Sequence, residues 1–547
     1  MAVDIPGLVS VIVFYICILG IGVWGSRKSR KVEKACTGTK SEISIVGGRN
    51  INVLVGIFTM TATWVGGGYI MGTAEAVYSP SQGLIWALGL PAYAVCFFLG
   101  GLFFAKPMRS KRYVTMLDPF QEHYGKAFTA IILIPALLSD ILWVACILAA
   151  LGGTMSIILG LSSTISIIIS AAVSIIYTFL GGLYSVAYTD IIQLCFIFVS
   201  LWLCVPFLVL SPAVNVISQT APFNQSHGDA WLGRLELEDS GKWVDEILLL
   251  ALGGLSYQAL YQRILSAASS VQAQITCYAA AGTVFIMGIP SVIIGVMAAS
   301  ADWNQTAYGL PSPFERGDAG KILPLALQNL TPTWVGVLGI GSVAAAVMSS
   351  MDSALLSSAS MFTQNIYRAT LRKQASEREL QWVIRVSVLL VGIAGTGLAF
   401  GDDSVAALWI LSGDLIYVAI FPQLVCVLHF QRVNTYGAIS GFVVGLLLRG
   451  LSGEPILEIP PLLLYPGWRE ENNVITQYFP YRTVAMFSSL TCIFLVSWMV
   501  DLIFNHQLVP QSCDILKVFK DKKETDGEET PDLREDVTRS SFDPNHM

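Results

Sequence analysis

The sequence predicts an all-α integral membrane protein of about thirteen transmembrane helices, on three observations. Of its 547 residues 54% are hydrophobic and only 13% charged, about half the ~25% charge share of soluble chains. Stretches of roughly 20 apolar residues, the length a ~30 Å hydrocarbon core requires, recur from Leu8 to Phe504. The remaining charge is concentrated between those stretches, in loops of alternating character.

In order, the expected spans are 5–25, 51–77, 82–105, 127–155, 163–182, 186–210, 244–267, 272–299, 333–363, 381–401, 405–428, 434–452 and 483–505. The first is read as a retained span, because its basic cluster follows the apolar stretch and no small-residue cleavage site is evident. Arg27, Lys28, Arg30, Lys31 and Lys34 follow span one, Lys106, Arg109, Lys111 and Arg112 span three, and Arg368, Arg372, Lys373 and Arg378 span nine. Cytoplasmic loops retain such charge, so the amino terminus is expected outside and the carboxyl terminus inside. Segments 211–243, 299–332 and 453–481 fall outside and carry the sequons at Asn224 and Asn304, with a weaker one at Asn329. After Asn505 hydropathy collapses into a tail with ten acids and six bases from Asp514 onward, read as disordered and cytoplasmic. The chain thus divides into 1–50 (first span and basic loop), 51–210 (first five-span repeat), 211–243 (extracellular loop), 244–428 (second repeat), 429–505 (two final spans) and 506–547 (tail).

The division into repeats rests on glycine. Gly66-Gly67-Gly68 interrupts the second span, and Gly253-Gly254 the seventh, five spans later. Each glycine costs about 1 kcal/mol in a helix relative to alanine. Two five-span repeats of inverted topology, each opening on a discontinuous helix, place substrate and coupling ions between them; close helix packing is the plainer reason for glycines.

Polar groups beside the breaks carry the candidate chemistry. Ser349, Ser350 and Ser353 lie within the apolar ninth span. They suit a hard cation together with carbonyls from a broken helix, or they bond back to their own helix. Acids within spans are Glu75, Asp140, Asp190, Asp245, Asp352 and Asp414; each costs about 3 kcal/mol at a lipid-facing centre, so they face the interior or a boundary. Asp190 is expected at the cytoplasmic edge of span six, guarding an ion exit or lying in water, and Asp414 and Asp352 deeper. Trp64, Tyr93, Trp143 and Tyr257 fall near the centres of four spans instead of in the interfacial belts. Converging, they would form a cage for a quaternary ammonium; singly, each is a packing residue. The ten cysteines are isolated and set no disulfide or zinc spacing. The five histidines are scattered and no phosphate loop occurs, which argues against an enzyme, and the acidic balance argues against a nucleic-acid partner. The expected partners are a small solute and the bilayer; nothing in the sequence sets an oligomeric state.

The run Phe58-Thr59-Met60-Thr61-Ala62-Thr63-Trp64-Val65-Gly66-Gly67-Gly68-Tyr69 resembles the choline branch of the sodium/solute symporter family. So do Phe103 to Lys111, Leu117 to Phe120, Gly181 to Asp190, Asp302 to Thr306 and Ala345 to Ser350. The resemblance implies a LeuT-type core of five plus five spans with one extra span before it and two after, importing choline with sodium by alternating access. It implies sodium on carbonyls of Ala62, Val65 and Ala346 and hydroxyls of Ser349 and Ser350, with Asp190 matching an acid tied to a further sodium site in some members. It also implies chloride dependence and a plasma-membrane location, presynaptic or vesicular. The cage carries over to Trp64, Tyr93 and Trp143. Tyr257 stands where tryptophan is expected, Met71 where asparagine and Leu88 where glutamine, so another quaternary ammonium or a neutral solute is the alternative substrate, and a channel or ion-binding sensor the alternative class.

Overall fold

The computed structural model describes residues 39–159, 162–180, 183–215, 231–401, 404–471, 474–516 and 518–519, with Ile16, Gly20 and Trp24. The first expected span, the Asn224 sequon, Gly181-Gly182 and most of the tail lie outside them. Among the described residues the architecture is helical apart from one small hairpin, β1 (Arg469–Glu471) antiparallel to β2 (Val474–Thr476). In chain order the helices are α1 (Lys40–Val46), α2 (Val53–Trp64), α3 (Gly67–Tyr78), α4 (Gly89–Leu99), α5 (Ala105–Ser110), α6 (Asp118–Leu159), α7 (Ser163–Leu180), α8 (Leu183–Val209), α9 (Ser240–Leu248), α10 (Gln258–Ser266), α11 (Ser270–Ala299), α12 (Ile322–Leu330), α13 (Thr333–Met361), α14 (Glu377–Leu398), α15 (Val405–Ala419), α16 (Phe421–His429), α17 (Thr435–Leu451) and α18 (Tyr481–Asn505).

Among the described residues, seven helices are long and apolar enough to cross a membrane, or up to nine if the bent pairs α2/α3 and α15/α16 each count as one span. All nine fall where the hydropathy expects them. α7 and α17 are shorter apolar helices, and the expected span 244–267 is divided into α9 and α10 by π and 3-10 turns between Leu249 and Ser256.

Both glycine clusters permit close approach, and the first also interrupts its helix. α2, capped by the Asn52 side chain on the Val55 amide at 2.9 Å, stops at Trp64, and α3 leaves at 53°. A Cβ on Gly67 would sit 2.7 Å from Ala150 Cβ, and one on Gly68 would sit 3.0 Å from Trp409 Cγ. Between α9 and α10 the break falls later than expected, at Tyr257, whose backbone is extended (φ −83°, ψ 131°). Gly253 and Gly254 instead let Tyr417 and Cys96 pack closely.

Each of the acids within spans has at least one partner within the protein. Asp414 accepts from Arg449 Nε at 2.5 Å and Arg482 Nε at 3.2 Å, and Arg449 also reaches Glu454. Asp245 accepts the Thr483 amide at 2.7 Å. This network ties α15 and the α9 region to the two final helices. Asp140 accepts from Ser358 at 2.7 Å, and Glu75 accepts Ser404 Oγ and the Ala406 amide at the start of α15. Asp190, near the start of α8, does not lie in water, the second of its two expected settings: it is fully buried, accepting from Thr59 and standing 3.7 Å from the Arg263 guanidinium. A carboxylate placed there needs the buried arginine as its counter-charge.

Candidate functional site

The site is built where α2 ends against the middle of α13. A helix terminus leaves its last carbonyls without intrahelical partners, and inside a membrane only protein groups, water or an ion can satisfy them. α13 supplies hydroxyls at that level. Ser349 Oγ donates to Ala62 O at 2.8 Å and lies 2.9 Å from Ala346 O, and Ser350 Oγ donates to Thr63 O at 2.8 Å. Other serines of α13 bond back to their own helix, Ser342 to Gly339 O, Ser358 to Ala354 O and Ser360 to Leu356 O. The ordinary fate of a helical serine thus holds for these three, whereas Ser349 and Ser350 reach the carbonyls of the broken helix.

Three of the five expected sodium ligands, Ala62, Ala346 and Ser349, are thus joined by hydrogen bonds, and Ser350 reaches the next carbonyl of α2, that of Thr63. Val65 is joined to them through Gly66, whose position against Ser350 is so close that a Cβ would stand 2.1 Å from Oγ. The Thr63 carbonyl was missed, since nothing in a sequence says which carbonyls a break leaves free. Asp190 touches none of the five. It connects to them through Arg263, whose Nη2 donates to Ser353 Oγ at 2.5 Å, while Ser353 Oγ bonds Ser349 O at 3.0 Å.

Immediately beside this oxygen cluster the four expected rings converge from four helical segments. Trp64 centres 6.3 Å from Tyr93, 6.1 Å from Trp143 and 6.4 Å from Tyr257, and Trp143 lies 5.1 Å from Tyr257. All are buried. Cation–π attraction acts within about 6 Å of a ring centroid, so the rings are close enough together for one cation to lie within reach of several at once. Three further aromatics complete it. Phe97 packs on Trp64 at 5.3 Å, Tyr69 stacks on Tyr93 at 5.5 Å, and Trp409 Nε1 donates to Tyr93 Oη at 2.6 Å. Trp409, only four residues into the expected span 405–428, sits where an interfacial tryptophan is ordinary, so its sequence position did not mark it as the other four were marked.

Trp409 also lines a cavity of about 330 Å³ with Glu75, Trp86, Leu88, Asp245 and Arg482, so the Tyr93–Trp409 hydrogen bond links the cage to the wall of this vestibule. Of the three departures from the family pattern, only Tyr257 is in the ring cluster, where its hydroxyl lies 3.1 Å from Ser412 Oγ. Leu88 faces the vestibule, and Met71 lies against Thr154 Oγ1 at 3.5 Å beside a small cavity shared with Ala149 and Lys321.

A broken apolar helix facing a hydroxyl-bearing helix, beside a ring cluster next to a vestibule, is the arrangement of a membrane transporter. Residues 44–445 match the sodium:solute symporter family, and the chain belongs to that family. It is similar to the high-affinity choline transporter 1 of Homo sapiens, 48% identical over 94% of this chain and 88% of the relative. To that of Torpedo marmorata it is 48% identical over 96% and 91%, and to the sodium/proline symporter of Escherichia coli 26% over 82% and 88%. In fold it is similar to a solved sodium-coupled sialic acid symporter in a substrate-bound outward-open state, with a TM-score of 0.72 at 18% identity over 90% of this chain and 97% of that one. The chain is a multi-pass membrane protein that couples sodium to the symport of a small organic solute by alternating access, and not an enzyme.

Proposed function

We propose that the solute is choline, imported across the plasma membrane with sodium bound between α2 and α13. The observation that carries this is the convergence of Trp64, Tyr93, Trp143 and Tyr257 with centroids 5.1–6.4 Å apart. A trimethylammonium group has no proton to donate and is recognised by ring faces, and relatives at 48% identity are choline transporters by name.

Sodium is held by the carbonyls of Ala62, Val65 and Ala346 and the hydroxyls of Ser349 and Ser350. Trp64 is the last helical residue before the break, so an ion that orders the break also fixes this ring, which is the coupling between ion and solute. Opening of the Tyr93–Trp409 pair admits solute from the vestibule. Asp190, held by Arg263, is assigned a supporting place below the sodium site. The thirteen-span plan of one, five, five and two spans, the six segments delimited above, the external amino terminus, the internal tail, chloride dependence and a presynaptic or vesicular location rest on the charge pattern and the family resemblance.

Purified protein in vesicles under an inward sodium gradient is expected to concentrate labelled choline in preference to betaine, carnitine and a neutral analogue. Uptake confined to the neutral compound, or indifferent to sodium, overturns the reading. A second substrate, another small quaternary ammonium, is favoured by Tyr257, because its hydroxyl with Ser412 puts a polar pair where an indole is expected; the same panel separates the two.

Ser349→Ala and Ser350→Ala each remove a hydroxyl worth about 1 kcal/mol, so each is expected to raise the half-maximal sodium concentration about fivefold. Unchanged sodium dependence in surface-expressed mutants means the ion sits elsewhere. For topology, Asn304 is exposed in a short 3-10 turn, and glycosidase is expected to shift the wild type but not Asn304→Gln. Labelling of this segment only from the cytosolic side reverses the orientation. Asn224 is assigned a second glycan.

A further inference from the structure

The basic loops that set the expected topology converge on one cavity of about 600 Å³, lined among others by Arg49, Arg112, Lys126, Arg368 and Lys373 with Glu42 and Asp118. The two acids are already engaged. Glu42 holds Arg49 through Nε at 3.0 Å and Nη2 at 2.7 Å. Asp118 accepts the Val114 amide at 2.6 Å, Thr115 Oγ1 at 2.8 Å and Asn365 Nδ2 at 2.8 Å. Among the described residues Lys126 donates only to a neutral carbonyl, Ala369 O at 2.6 Å. The Arg112, Arg368 and Lys373 side chains have no hydrogen bond or ion pair to another described residue.

Five cations thus face two spent carboxylates, from chain segments more than three hundred residues apart. Their assembly works against mutual repulsion and is locally strained. Arg49 and Arg112 both hold left-handed backbone (φ 56°), uncommon outside glycine, and Arg49 Nη2 ties the two loops by donating to Arg112 O at 2.7 Å. Strain of this kind collects where it serves a ligand.

We infer that this cavity binds a multiply phosphorylated headgroup, supplied by a phosphoinositide of the adjoining leaflet. Clustered phosphates match three free cations, two of them guanidinium groups suited to bidentate phosphate contacts. A lipid source is indicated by the apolar edge beside the cavity. Leu371, between Arg368 and Lys373 at the end of the α13 span, is 66% exposed. An exposed apolar side chain between two of the cavity's cations fits a bilayer margin, where basic pockets meet lipid headgroups. The cytosolic side rests on the topology proposed above.

The full chain in detergent, titrated with dioctanoyl phosphatidylinositol 4,5-bisphosphate, is expected to bind it more tightly than dioctanoyl phosphatidylserine. The triple variant Arg112→Gln/Arg368→Gln/Lys373→Gln is expected to bind about a hundredfold more weakly, each cation contributing about a factor of five. Arg368→Gln alone, about fivefold weaker, serves if the triple variant does not give a monodisperse protein. Inositol 1,4,5-trisphosphate binding as tightly as the lipid assigns the cavity to a soluble phosphate ligand of the same chemistry; weaker binding assigns it to the lipid. Equal affinity of variant and wild type, no bisphosphate binding, or serine lipid binding equally well overturns the proposal. Detergent removes sidedness, so this result is independent of the Asn304 test.

Discussion

Gly66→Ala is expected to reduce sodium-dependent uptake by about a hundredfold while leaving the protein folded and at the cell surface. The backbone is not the reason. Gly66 is extended (φ −108°, ψ −172°), a conformation alanine adopts freely. The reason is the added methyl, which would stand 2.1 Å from Ser350 Oγ and 2.8 Å from Ser350 Cβ. Rotating the hydroxyl away relieves the first contact but not the second, so α2 and α13 must separate where the proposed ion ligands meet. Overpacking costs about 1–3 kcal/mol, and at the upper end this is about two decades of ion affinity. Gly282→Ala is the control, since nothing lies within 4 Å of its would-be Cβ and alanine favours a helix. Wild-type sodium dependence in Gly66→Ala would falsify the placement of the ion between these helices.

Trp64→Leu and Trp143→Leu are each expected to weaken choline binding by about tenfold or more, and the double variant by about a hundredfold. Each cation–π contact contributes about 0.5–2 kcal/mol, with tryptophan the strongest donor and desolvated sites at the upper end. Phenylalanine at either position keeps a ring and is expected to cost less than leucine. Trp64 touches Tyr93, Phe97, Trp143 and Tyr257, so packing is lost as well as charge recognition. An uncharged isostere of choline separates the two: it should lose less affinity than choline in the leucine variants. Parallel losses would mean that the rings supply shape alone, and the quaternary-ammonium assignment would lose its physical basis. Tyr257→Trp, which removes the hydroxyl facing Ser412, is expected to raise choline affinity modestly if the pocket accommodates the larger ring.

Hydropathy located nine helices or bent helix pairs because lipid imposes a length of apolar chain that no local interaction overrides. Glycines at the first break were legible for the same reason, since three in succession are too costly for a helix that merely spans. At the second break the glycines misled by about four residues: Gly253 and Gly254 serve Tyr417 and Cys96, while the discontinuity falls at Tyr257, whose extended backbone nothing in its residue type announces. The burial of Asp190 was not legible because the cation that makes it tolerable, Arg263, lies 73 positions away.

What the sequence determined by itself was the solvent and the chemistry on offer: a membrane, helices of fixed length, central aromatic rings, hydroxyls and a loop charge bias. Those are properties of residues and their near neighbours, and the medium selects them one segment at a time. Which serines leave their own helix for the Ala62 and Thr63 carbonyls, that Trp409 closes on Tyr93, that Met71 stays apart from the rings, and that three basic loops share one cavity were decided only by tertiary structure. Each depends on the register and crossing of helices distant in the chain, and those are set by how side chains from both partners fill the space between them.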